Sequence, residues 1–271
     1  MSETAYAPAP VPAPQATSGA GVIVGDVSGP AEIHGVHGTT GVTRWKALAS
    51  GADLRGGWEA VEWACVPPGG VSGEHLHTRT EEVYFILSGT GEIYLNGTAH
   101  PIAPGSLVLT GLRTVHGLRN TGDSDLAWLV IEMRSPHFDA ALGASVPAPD
   151  SAPAPAPAKE EPPVRTARLH DLRAERSVSP SDVFTGPMRS LALETVDASG
   201  TVELTADGRE HMVFVLSGTG WVENGSGTAE LHPGTAVTLP LGTRARIGAD
   251  REGGLEFFHA EVAVAPAEAA R

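Results

Sequence analysis

The sequence predicts an all-β protein of two tandem domains joined by an Ala/Pro-rich linker. Three observations lead there: short apolar runs closed by turn residues, a long internal duplication, and two Ala/Pro tracts that set the duplicated segments apart. The runs come first. Val, Ile, Leu and Phe cluster in short stretches, each bounded by Gly, Pro, Asn or Asp, as strands closed by turns are. In the first half they cover residues 42–47, 58–66, 82–87, 91–95, 106–110 and 126–133. Helical periodicity is nearly absent, and one short helix is expected at 136–142. Many short strands at turn-marked spacing argue for an antiparallel sandwich or barrel. With 33 Gly, 22 Pro and only 5% aromatics in 271 residues, the composition also suits turn-rich strands.

The duplication is direct. EEVYFILSGTGEIYLNGTAHPIAPGSLVLT in the first half is echoed by EHMVFVLSGTGWVENGSGTAELHPGTAVTL in the second. Aligned on Gly89 and Gly218, the pairs Pro104-Gly105 and Pro233-Gly234 fall at matching offsets. A repeat of about a hundred residues that occurs twice means two homologous domains and not a solenoid. The expected layout is a first domain at 20–145, a linker at 146–165 and a second domain at 166–265, with tails at 1–19 and 266–271. Alternating Ala-Pro favours extended polyproline II with no packing face, so the first tract reads as a disordered tail and the second as a semi-rigid spacer.

Charge and cysteine narrow the partners. A formal charge of −14 with no Lys/Arg run repels phosphate backbones and excludes nucleic acid. Cys65 is the sole cysteine, which rules out an intrachain disulfide and any cysteine-only metal cluster. The first residues lack the basic and apolar regions of a secretory signal, and no stretch approaches the roughly 18 apolar residues of a spanning helix. No membrane partner and a cytoplasmic location are the expectations.

The segment GGVSGEHLHTRTEEVYFILSG carries the chemistry. His75 and His77 are two apart, so on a strand both imidazoles project from one face, about 7 Å apart. Glu82 opens the next apolar run and can point inward from a neighbouring strand. His116, in GLRTVHGLRN, follows a further strand and can close the site from across the barrel. Three neutral imidazoles and one carboxylate suit Mn, Fe, Co, Ni, Cu or Zn. Glu81, beside Glu82, is the competing carboxylate, but strand alternation sends it to the opposite face.

These residues resemble the cupin superfamily. Its first motif, G-x5-H-x-H-x3-4-E-x6-G, is matched by Gly69, His75, His77, Glu82 and Gly89, and the end of its second motif, H-x3-N, by His116 and Asn120. The resemblance departs before His116, where Gly111 and Arg113 stand in place of the usual Pro and Gly. It implies two conical jelly-roll β-barrels, the first holding one divalent metal, Fe(II) before Mn, Ni, Co, Cu or Zn, through His75, His77, Glu82 and His116. It also implies a small-molecule substrate and a homodimer formed through sheet edges. In the second copy Glu82 corresponds to His211, the histidine pair falls at residues 204–207, where there is no histidine, and His116 maps near Ala245. A metal there would need His211 with His259 or His232, outside the motif. The second domain therefore reads as degenerate, a packing partner covering an edge of the first.

The activity expected from the resemblance is that of a metal-dependent enzyme on a small organic substrate, foremost an iron-type dioxygenase. A Lewis-acid isomerase, cyclase or decarboxylase and a non-catalytic small-molecule-binding protein are the alternatives. Glu82 is expected to double as ligand and catalytic proton acceptor. Tyr84, sharing its alternation, and Arg113 and Arg119, flanking His116, are the candidate substrate contacts.

Overall fold

The computed structural model describes residues 21–136 and 166–264. The expected tails, the linker and all but the first residue of the helix expected at 136–142 lie outside them. The fold is all β, as two tandem jelly-roll barrels.

In the first barrel the strands are β2 (Ala31–His34), β3 (Val42–Ser50), β4 (Trp58–Val66), β5 (Val71–Leu76), β6 (Thr80–Ser88), β7 (Gly91–Leu95), β8 (Thr98–Ile102), β9 (Ser106–Thr110), β10 (Val115–Asn120) and β11 (Leu126–Arg134). They form a large sheet, β9-β6-β11-β4-β3-β2, facing a small one, β5-β10-β7-β8. The second barrel repeats the plan with β14 (Met188–Val196), β15 (Thr201–Thr205), β16 (Arg209–Ser217), β17 (Gly220–Asn224), β18 (Gly227–Leu231), β19 (Thr235–Leu239), β20 (Arg244–Ala249) and β21 (Leu255–Ala263). From β6 onward every strand recurs with its first residue 129 positions later, the spacing of Gly89 and Gly218. The second barrel also carries the two-residue β13 (Ser177–Val178) and a one-turn helix, α1 (Leu172–Glu175).

Alternation along the large sheets assigns their two faces. Tyr84, Ile86, Trp128 and Val130 point into the first barrel. Val83, Phe85, Leu129 and Ile131 point away and meet Leu191, Met212, Phe214 and Phe258 from the second. The largest apolar cluster is thus the seam between the barrels, sheet on sheet, and not either interior. Phe85 and Phe258 stack across it with centroids 4.7 Å apart.

Two exchanged strands bind the halves further. β1 (Ile23–Asp26) pairs with β19 of the second barrel, while β12 (Ala167–Asp171) pairs with β9 of the first. Each half covers an open sheet edge of the other. Two carboxylates complete the seam. Glu81 faces away from the first barrel's interior and accepts from the Thr185 and Gly186 amides at 2.6 and 2.9 Å. Glu210, at the same place in the repeat, accepts from the amides of Arg55, Gly56 and Leu241 and from Trp58 Nε1, at 2.8 to 3.0 Å. Both are buried, and charge-assisted bonds to N–H donors stabilise them there.

Candidate metal centre

Both sheets of the first barrel contribute to one cluster at its rim. His75 lies on β5 directly opposite His116 on β10, His77 follows β5, and Glu82 comes from β6 of the large sheet. His77 is fixed on both sides of its peptide: its carbonyl accepts from the Arg113 amide at 2.8 Å and its amide donates to the Thr114 carbonyl at 3.2 Å. Arg113 makes that turn with a φ of 65°, the left-handed conformation that favours glycine. The second copy keeps Pro240 and Gly242 at the corresponding positions, with Gly242 at a φ of 85°. So the turn before His116 follows the usual path although its Pro and Gly are gone.

The three histidine Nε2 atoms lie 2.9 to 3.2 Å from one another. Glu82 Oε2 stands 2.9 Å from that of His116 and 3.4 Å from that of His77. His75 Nδ1 donates to the Gly73 carbonyl at 3.0 Å, which leaves its Nε2 as a lone pair aimed into the cluster. Glu82 Oε2 is buried with no hydrogen-bond donor. Acceptors converging on one point, one of them an orphaned carboxylate oxygen, fit a divalent cation, and these four residues are placed to hold one.

Electrostatics point the same way. Burial, then the neighbouring imidazoles, push His77 down to about 3, and burial pushes His116 down to about 4. His75 is lowered for the same first reason. All three are neutral at pH 7, the state that ligates. Burial drives Glu82 up to about 8. Glu132, its cross-strand partner, is also raised to about 8 by burial and then by Glu82, and burial raises Glu62 on β4. Three carboxyl groups crowded on one wall are an arrangement that a divalent ion relieves.

Of the candidate substrate contacts, the structure brings Tyr84 to the cluster, its ring 5.1 Å from that of His116. It brings neither arginine there: Arg113 is exposed in its turn, and Arg119 is exposed on β10, near Glu74 and Tyr94. Sequence reasoning missed Glu62 and Glu132, although an acid inside the apolar runs WEAVEWACV and LAWLVIEMR was a visible signal. It also missed His37, whose ring stacks on His75 with centroids 3.6 Å apart and planes 11° apart. His37 sits at a φ of 52° in the Gly-rich turn GVHGTTG, which roofs the rim beside His75.

Residues 62–132 match the cupin domain family. The first barrel is a cupin domain. The oxalate-binding protein of Thermotoga maritima is 38% identical over 66 residues, 24% of this cupin and 54% of that protein. This cupin spans about half the length of the curated relatives it matches. Among solved structures, the E. coli protein Ylba aligns with a TM-score of 0.66 at 11% identity, covering 92% of this chain and 94% of its own. Oxalate decarboxylase from Bacillus subtilis aligns at 0.61 and 12% identity, covering 89% and 78%. At those identities the two structures show the shared two-barrel fold.

The metal motif is intact only in the first barrel. In the second, Leu204 and Ala245 pair in the register that His75 and His116 hold in the first, both buried and apolar. No described helix is long and apolar enough to cross a membrane.

Proposed function

We propose that this cupin is a metal-dependent enzyme acting on a small organic molecule, foremost an Fe(II)-type dioxygenase. The observation that carries the reading is the convergence of three neutral imidazole nitrogens and one carboxylate oxygen at the barrel rim. A divalent metal held there supplies Lewis acidity and, as iron, reactivity with dioxygen. His75, His77 and His116 on the small-sheet side and Glu82 from the large sheet would hold it.

The chain's own groups set what reacts. Glu82 serves as ligand and, on its free oxygen, as proton acceptor. Burial raises Glu62 and holds Glu132 up at about 8, so Glu132 keeps an exchangeable proton along the same wall. Tyr84 and Trp128 close the site from below and exclude water, while His37 narrows the entrance above His75. A small molecule with an oxygen donor suits the chemistry of such a site. With Arg113 and Arg119 exposed outside the cluster, a metal held there would supply the positive charge that an anionic substrate needs.

One observation favours a second reading. The 38% identical relative is named for binding oxalate, so a small carboxylate handled without dioxygen is the alternative. The metal-free protein is loaded with Fe(II), Mn(II) or Zn(II) and offered enols, phenols, thiols and oxalate in an oxygen electrode. Oxygen uptake matching substrate loss, with Fe(II) only, is the expected result. Anaerobic conversion with Mn(II) or Zn(II) would favour Lewis-acid chemistry. Binding without conversion under every condition would leave a binding protein.

A further inference from the structure

We propose that the second barrel holds a divalent transition metal of its own, outside the family motif, through His211 Nδ1 and His259 Nε2 with the Glu261 carboxylate as third ligand. His211 lies on β16 and His259 on the neighbouring β21, both buried on the barrel's inner side. His211 occupies the place of Glu82 in the repeat, but His259 stands where the first barrel has Val130, so the pair is no remnant of the usual site.

Hydrogen bonding decides the tautomers. The Thr205 carbonyl can only accept, so His211 Nε2 donates to it, at 3.2 Å. The Glu194 carboxylate accepts from His259 Nδ1 at 2.7 Å. With both outer nitrogens spent as donors, the inner nitrogens of the two rings are left facing each other 3.0 Å apart. A single shared proton or a metal ion bridges such a pair, and the carboxylate beside it is what a metal would add to its ligands. Nitrogens bound about 2.0–2.1 Å from a tetrahedral ion stand roughly 3.3 Å apart, close to this separation.

The surroundings match. Metal-bound imidazoles commonly donate their other N–H to a carboxylate or a backbone carbonyl, as both rings do here. In the first barrel His75 is likewise fixed by a carbonyl, with its other nitrogen turned to a neighbouring imidazole. Glu261 pairs with His211 across the strands, and its Oε2 is 4.0 Å from His211 Nδ1. Arg209 now holds its other oxygen, at 2.9 Å. Two imidazoles and one carboxylate suit Zn(II), Co(II), Ni(II) or Cu(II).

The test uses the full chain without a histidine tag, stripped of metal and dialysed against Co(II) or Zn(II). Wild type is expected to bind two equivalents. The His75→Ala/His77→Ala double variant is expected to keep one, with a visible Co(II) spectrum. Adding His259→Phe should abolish that equivalent, and adding Glu261→Gln should weaken it about tenfold. Circular dichroism and a melting curve confirm that each variant is folded. No metal in the folded double variant, or an equivalent that survives His259→Phe, overturns the proposal. Two equivalents in wild type but one in the double variant separates this site from the first.

Discussion

Glu82 shows how one residue couples the first site to pH. In the metal-free fold its carboxyl is raised to about 8, so at pH 7 it keeps a proton that the unfolded chain has already lost. That costs the metal-free fold stability as pH rises from about 4.5 to 8. The histidines act in the other direction. His77 and His116, lowered to about 3 and 4, stay neutral while the unfolded chain takes up protons, so stability also falls as pH drops below about 6.5. A metal replaces the Glu82 proton. Uptake at pH 7 is therefore expected to release about one proton, and affinity to rise up to about pH 8. Calorimetry in buffers of different ionisation enthalpy measures this; no released proton would mean that Glu82 is already ionised. The ligands themselves were legible in the sequence because their spacing is constrained. Glu62 and Glu132 showed only as acids inside apolar runs and His37 by no local pattern, since strand register and loop path bring each to the site.

Among the elements, the strands easiest to read were those with one apolar face. Residues 58–66, 91–95 and 106–110 are strands with those same bounds. β8 and β10 carry no clean alternation. β8 contains Pro101 and forms the free edge of its sheet, where a missing N–H is tolerated. β5 and β10 bear the ligands, so polar residues stand where a core strand would place apolar ones. The repeated Leu-Ser-Gly-Thr-Gly has a physical origin. Gly89 and Gly218 take φ of 77° and 82°, and a Cβ on either would lie 2.4 and 1.9 Å from the carbonyls of Asp125 and Gly254. Gly89→Ala is expected to destabilise by about 2–4 kcal/mol, read by urea unfolding, because strain and a backbone clash add. A cost below about 0.5 kcal/mol would show that the turn yields.

For the whole molecule, the two barrels share their largest core, exchange β1 and β12, and cap each other through Glu81 and Glu210. That the second barrel packs on the first and covers an edge was expected from the sequence, whereas the exchanged strands and the two carboxylate caps were not legible, because each partner lies in the other half. The chain is expected to unfold in one cooperative transition. Glu210→Ala, which strands four N–H donors in the seam, should cost about 3–5 kcal/mol and shift that transition without splitting it. Scanning calorimetry checks both, and two separate transitions would mean that the barrels are thermodynamically independent. The central claim remains the metal site of the first barrel. Elemental analysis of metal on untagged, metal-reconstituted wild type beside His77→Ala tests it most directly. The account predicts that the variant binds one equivalent fewer than wild type. Equal metal in the two folded proteins, or none in either, would contradict it.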